Sequence, residues 1–193
     1  EHKAAEDQIK HLAFFDALTG LPNRRLLLDR LQQAQAASAR KGKFAALMFL
    51  DLDNFKPLND THGHEVGDLL LVEAANRLKR CVREVDTVSR FGGDEFVVLL
   101  SDLPADRLAS TKQARVIAEK IRFALALPYR LTRTHEGQAA TLVEHHCTVS
   151  IGVTVFVNQE ASHDDLLKWA DMAMYEAKQA GRDTVCFHGS SAG

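Results

Sequence analysis

Arg90-Phe91-Gly92-Gly93-Asp94-Glu95-Phe96-Val97-Val98-Leu99-Leu100 carries the chain from a double glycine through two acids into an unbroken apolar run. Adjacent glycines permit a tight turn and leave space beside the backbone for a bulky group. Residues 96–100 have the length and composition of a strand covered on both faces. A second stretch mirrors this order: residues 44–51 form a short apolar strand, and Asp51-Leu52-Asp53 closes it with acids. Two core strands thus carry carboxylates at their rims, four in all: Asp51, Asp53, Asp94 and Glu95. Crowding like charges is costly unless a cation lies between them, and carboxylates with a backbone carbonyl suit a hard ion such as Mg²⁺ rather than zinc. Taken singly, an acid near a glycine is more commonly a solvated turn residue.

Working outward, residues 24–39 and 64–83 read as helices, the second from Val66, Leu69, Leu70, Val72, Leu78 and Val82 at helical spacing. Residues 102–104 form a loop. A helix over 110–126 carries Val116, Ile117, Ile121 and Leu125 on one side, and Pro128 stops it. Residues 148–157, rich in Val, Ile and Thr, form a further strand. Residues 164–180 form a helix closed by Gly181, and 184–187 a last short strand. Strand, helix, strand pair, helix, strand, helix, strand predicts an α+β domain with an antiparallel-containing sheet and helices packed on it, akin to the split βαβ arrangement. Residues 1–15 are rich in helix formers with apolar Ala5, Ile9 and Leu12 at spacings of three and four. They read as a linker helix entering the domain, or as the end of a coiled coil from an upstream module. The domain is expected over 16–188, with 189–193 as a tail. Glu1 in place of Met implies a fragment or processed product of something longer.

The chain has 193 residues, 24 Lys plus Arg, 26 Asp plus Glu and a formal net charge of -2. That length suits one sizeable core rather than two, and that balance excludes gripping a nucleic-acid backbone by bulk attraction. No apolar run approaches the ~20 residues of a membrane helix and no signal-peptide pattern precedes the domain, so a cytoplasmic location without direct membrane contact is expected. Cys81, Cys147 and Cys186 lack metal-ligand spacing and read as reduced, partly buried hydrophobes.

Between the acid clusters lies Asn54-Phe55-Lys56-Pro57-Leu58-Asn59-Asp60-Thr61-His62-Gly63-His64, read as a loop between strand and helix. Its backbone N–H groups and Lys56 could meet phosphate, although a plain surface loop fits as well. Asn59 and Asp68 could read a base, a carboxylate accepting from the N1–H and N2–H₂ donors of guanine. Lys178 and Arg182 sit one turn apart at a helix end, where the dipole favours cations in any protein.

These residues carry a resemblance. Residues 90–96 resemble the signature of the GGDEF family, the bacterial diguanylate cyclases. Asp16-Ala17-Leu18-Thr19-Gly20-Leu21-Pro22-Asn23-Arg24 is similar to the opening motif of that family, and residues 51–68 to its metal and guanine segment. Ser150-Ile151-Gly152-Val153 resembles its later core strand, and Tyr175-Glu176-Ala177-Lys178 with Gly181-Arg182 its closing helix. The resemblance implies a two-layer, ferredoxin-like palm of the nucleotidyl-cyclase kind, its central, mainly antiparallel sheet flanked by helices. It implies condensation of two GTP into cyclic di-GMP with release of two pyrophosphates, across a homodimer governed by an upstream sensory domain. Asp51, Asp94, Glu95 and the Leu52 carbonyl would hold two Mg²⁺, or Mn²⁺, with Asp94 and Glu95 catalytic and Glu95 assisting loss of the 3′-hydroxyl proton. Asn59 and Asp68 would read guanine, with Phe55 and His64 lying near the substrate, and Lys56, Lys178 and Arg182 would hold the terminal phosphates. Arg83-Glu84-Val85-Asp86 is similar to the RxxD inhibitory site for product cyclic di-GMP, with Lys120 as a second basic partner; by spacing alone Arg83 and Asp86 are an ordinary ion pair. The rival is a non-catalytic receptor for cyclic di-GMP or GTP; a third reading, a bare dimerisation module, leaves the carboxylates unexplained.

Overall fold

Apolar residues on both sides of one strand set the architecture. In the computed structural model, which describes residue 3 and residues 11–189, β1 (Ala45–Leu52) is buried along almost its whole length. Its even-numbered side chains Ala46, Met48 and Leu50 join one core and its odd-numbered Ala45, Leu47 and Phe49 join another. That is the period-2 alternation of a strand with no solvent face.

The elements run α1 (Arg24–Lys41), β1, α2 (Phe55–His62), α3 (His64–Cys81), β2 (Thr87–Gly92), β3 (Glu95–Leu100), α4 (Arg107–Ala126), β4 (Tyr129–Arg133), β5 (Thr141–His145), β6 (Val149–Phe156), α5 (His163–Gln179) and β7 (Val185–Phe187). The sheet order is β2-β3-β1-β6-β7, antiparallel except for the β6–β7 pair. Helices α3 and α4 fill one core with Leu70, Ala74, Leu78, Ala118 and Ile121, while α1 and α5 fill the other with Leu27, Leu31, Leu166 and Ala170. The expected mainly antiparallel sheet flanked by helices is thus present, and because both faces are covered it is the middle of three layers rather than one of two. The polar stretch after α4 forms its own hairpin, β4–β5.

Local chemistry explains the helix ends. Asn23 caps α1 by accepting from the Leu26 N–H, and Gly42 closes it at φ 66 with its N–H on the Ser38 carbonyl. Ser162 caps α5, whose first turn holds Asp164 and Asp165, matching the dipole. Gly152 lets α5 lie directly on β6, since a Cβ there would stand 2.1 Å from the Ala170 carbonyl oxygen and the Met174 nitrogen. That close approach places the C-terminal end of α5, and with it Lys178, over the end of β1.

Two expectations need correction. Residues 55–62, read within a loop, are helix α2: Asn54 turns the chain at φ 59, and Pro57 sits in the first turn, where its missing N–H costs no hydrogen bond. Val116, counted on the packed side of its helix, is exposed, whereas Ile121 and Leu125 are buried as expected. The strand before the double glycine is β2, whose bounds the pattern did not give. The linker-helix reading of residues 1–15 falls mostly outside the described residues; residues 11–14 are helical. Among the described residues no helix is long and apolar enough to cross a membrane.

Candidate functional site

Antiparallel pairing of β1 with β3 sets Asp51 directly opposite Glu95, which puts their side chains on one face, the face covered by α1 and α5. The β2–β3 turn is built by Gly92 at φ 142 and Gly93 at φ 51, conformations that side-chain-bearing residues rarely adopt. It brings Asp94 beside Asp51, with the Leu52 N–H on the Asp94 carbonyl at 3.3 Å. Lys178 of α5 reaches the same end and donates to Asp51 at 2.5 Å.

The electrostatics follow from this crowding. Burial, then hydrogen bonding to Asp51 and its charge, push Asp94 up to about 6 against the pull of Lys178. Glu95 is also raised, by burial first and then by the charges of Asp51 and Asp171. Such a group of acids suits a hard divalent cation, which relieves their repulsion. Among the described residues no three His, Cys, Asp or Glu side chains are close enough to cage an ion alone. Magnesium ordinarily takes one or two carboxylates and completes its octahedron with water and substrate phosphate, so an open, carboxylate-poor cradle fits it. Leu52 is buried, so only its backbone could contribute.

Asp53 does not join this cluster, contrary to expectation. It is buried, accepting from the Thr148 hydroxyl at 2.7 Å, the Ser150 hydroxyl at 2.7 Å and the Asp183 N–H at 3.1 Å. It ties the end of β1 to β6 and to the turn after α5, holding Lys178 and Arg182 in place instead of facing a ligand. Asp183 also pairs with Arg122 at 2.8 Å.

The remaining residues lie around that end. Lys56, His64, Asp68 and Arg182 are exposed, Arg182 in the left-handed turn after α5 at φ 66. Asn59 is half-buried, on α2 where it packs against α3, with its Oδ1 buried and without a hydrogen-bond partner among the described residues. Phe55 packs into the core, so only its backbone can face a ligand. The α2 N-terminus carries no side-chain cap from Asn54, leaving its first N–H groups for a ligand or water.

Two features lacked a role in the sequence. Arg90 donates through Nε and Nη2 to the Gly93 carbonyl at 3.0 and 2.9 Å, and through Nη1 to Asp16 at 3.0 Å. Asp16 also accepts from the Thr19 N–H and hydroxyl. Against the upward push of burial, the Thr19 bonds and the Arg90 charge hold its carboxyl below the usual range. The opening motif therefore braces the double-glycine turn. Beside Glu95 lies a cleft of about 370 Å³ lined also by Arg24, Phe49, Phe91 and Lys168. Both Asp16 and Arg24 stand in the quoted opening motif, which was the available signal.

At the other end of β2, Asp86 is wholly engaged. Its carboxylate accepts from the Arg83 N–H, Nε and Nη2 and from the Ser101 N–H, at 2.9 to 3.2 Å. Arg83 also donates to the Ser101 carbonyl at 2.5 Å. Two clefts of about 350 and 400 Å³ border this pair, both reached by Arg30 and the second by Lys79. Lys120 lines neither; its carbonyl faces the Cys81 thiol.

The sequence matches the family described as "Diguanylate cyclase, GGDEF domain" over residues 13–184. It is 42% identical over 188 residues to the bifunctional diguanylate cyclase/cyclic di-GMP phosphodiesterase MucR of Pseudomonas aeruginosa, covering 97% of this chain and 25% of that protein. The chain thus spans about a quarter of the length of MucR and of the diguanylate cyclase DgcP of Pseudomonas aeruginosa. Among solved structures, the GGDEF domain of YfiN (TpbB) from Pseudomonas aeruginosa superposes with a TM-score of 0.77 at 36% identity, covering 90% of this chain and 99% of that one. The coiled coil and GGDEF domain of DgcB from Caulobacter crescentus, in complex with c-di-GMP, gives 0.80 at 28% identity, covering 96% and 91%.

Proposed function

Because this chain belongs to the diguanylate cyclase GGDEF domain family, we propose that it condenses two GTP into cyclic di-GMP and two pyrophosphates, each of two copies presenting one GTP to the other. The observation that supports this most is the convergence of Asp51, Asp94, Glu95 and Lys178 at one end of β1 and β3, acids held against their own repulsion beside a cation.

In this reading Asp51 and Asp94, with the Leu52 carbonyl, hold divalent cations, Mg²⁺ or Mn²⁺. A cation so held lowers the pKa of a 3′-hydroxyl and neutralises charge on phosphoryl oxygens. Glu95, its carboxyl raised by burial and by the charge of Asp51, takes the proton of the 3′-hydroxyl as that oxygen attacks the α-phosphorus of the other GTP. The bond to pyrophosphate breaks in line, and a second such step closes the ring. Lys56, the α2 N-terminal N–H groups, Lys178 and Arg182 meet the triphosphate, while Asn59 and Asp68 read guanine with His64 nearby. Holding one substrate per copy supplies orientation and makes pairing of copies, under a sensory domain elsewhere in the parent protein, the switch.

Product inhibition belongs to the same proposal. Arg83 would face cyclic di-GMP, with Asp86 fixing the guanidinium rather than meeting the ligand, since its oxygens are already filled. Arg30 and Lys79, rather than Lys120, are the basic neighbours within those clefts.

The decisive assay incubates the chain with GTP and Mg²⁺ and measures cyclic di-GMP. Glu95→Gln is expected to lower turnover by roughly 10²–10⁴-fold while GTP binding holds. A dimeric sample that forms no product overturns the cyclase reading, and unchanged product inhibition in Arg83→Ala removes the inhibitory site.

A further inference from the structure

We propose that Gly67 is a positioning residue for base recognition, its missing side chain being what lets the Asn59 carboxamide lie across the first turn of α3. The inference rests on Asn59 facing guanine, as in the function proposed above.

The contact is unusually tight. A Cβ built on Gly67 would stand 1.7 Å from Asn59 Oδ1, 2.8 Å from Cγ and 3.3 Å from Nδ2. The whole amide therefore occupies the volume that any other residue at position 67 would need. The backbone gives no separate reason for glycine here, because Gly67 does not have the positive φ of Gly63, four residues earlier. A glycine inside a helix weakens it relative to alanine. This one is buried within α3, where a core-facing alanine would otherwise serve better, as at Ala74 and Ala75.

The other partner is also out of balance. Asn59 Oδ1 is buried and meets no donor among the described residues, and an unpaired buried acceptor is unfavourable, so this rotamer gains nothing for the fold. The amide is thus held in place by shape, against the residue that precedes the exposed Asp68 in α3. With Oδ1 turned against Gly67, the amide is left to meet a base through its Nδ2 donor, while the N1–H and N2–H₂ donors of guanine, which adenine lacks, suit a carboxylate such as Asp68. Fixing the Asn59 rotamer before the base arrives removes an ordering cost from binding. Gly67 touches no base in this account; it acts through Asn59.

The test is a double-mutant cycle of Gly67→Ala and Asn59→Ala, carried in Glu95→Gln protein so that nucleotide is not consumed. Equilibrium binding of GTP, inosine triphosphate and ATP is measured beside thermal unfolding. Gly67→Ala alone is expected to weaken GTP binding about tenfold or more and to shrink the GTP preference over inosine triphosphate and ATP to that of Asn59→Ala. Added to Asn59→Ala, it should cost no further affinity and should raise the thermal midpoint by about 2–4 °C, because the clash is gone and the helix propensity remains. Effects that simply add, in binding or in stability, overturn the proposal. Unchanged GTP preference in Gly67→Ala overturns it as well. If the parent protein itself prefers no base, the guanine reading fails and takes this proposal with it. Non-additive stability would then still report the steric contact, which separates the two failures.

Discussion

The two ends of β2 each carry an aspartate in a tight turn, and they are built on opposite principles. Asp86, before the strand, has no exposed side-chain surface and receives four hydrogen bonds from Arg83 and Ser101. Asp94, after it, is set against another acid, and burial and Asp51 together raise its pKa to about 6. A carboxylate whose acceptor sites are all filled by its own chain is a fastener. One held beside a like charge is kept for a cation or substrate that the chain does not supply, and its local instability persists because the surrounding sheet over-determines it.

The comparison is sharpest under substitution by asparagine, which keeps shape and removes charge. Asp94→Asn is expected to abolish turnover, by on the order of 10³-fold, and yet to raise the thermal midpoint, because it deletes one member of a repelling pair. Loss of both activity and stability would place Asp94 among the fasteners. Asp86→Asn should do the reverse. One end of the new amide would point N–H groups at the Arg83 or Ser101 donors and leave the buried turn unsatisfied. A loss of about 3 kcal/mol in denaturant unfolding is expected, with cyclisation retained wherever the protein stays folded. Stability within about 0.5 kcal/mol of the parent would break the contrast.

How far this contrast could be read from sequence depended on distance along the chain. β1 and β3 were legible because a run of apolar residues bounded by acids has few alternatives, and their pairing then aligned Asp51 with Glu95. Asp53 was misjudged because its neighbour Asp51 is chemically identical. What separates them is Thr148 and Ser150, far away in sequence, which draw Asp53 inward where β1 ends. α2 was misread because Pro57, Asn59, Asp60 and Gly63 have the composition of a turn. Only the burial of Phe55 and Leu58 against the core makes the segment a helix. The brace on the double-glycine turn was invisible for the same reason as Asp53: Arg90 and Asp16 lie far apart in sequence, and only the fold brings them together.

That brace gives the smallest and most discriminating prediction, because Asp16 stands between the two extremes. Like Asp86 it is satisfied by its own chain, through Thr19 and Arg90, but it retains some exposure and its work is to steady Gly93 beside Asp94. Asp16→Asn should therefore cost about 1 kcal/mol at pH 7 and lower turnover only a few-fold. The folded pKa of Asp16 lies below its unfolded value. Its ionised form thus contributes stability that is fully present above the unfolded pKa, near 4, and is lost as pH falls through the lower folded value. The gap between parent and Asp16→Asn should accordingly be the same at pH 7 and pH 5 and should close as the pH falls below about 4. Unfolding curves at those pH values measure it. A gap that persisted undiminished well into acid would mean that the carboxylate charge is not what holds the turn. The Arg90 bonds to Gly93 would then be sufficient alone, and the opening motif would belong with the packing of the fold rather than with the support of its acids.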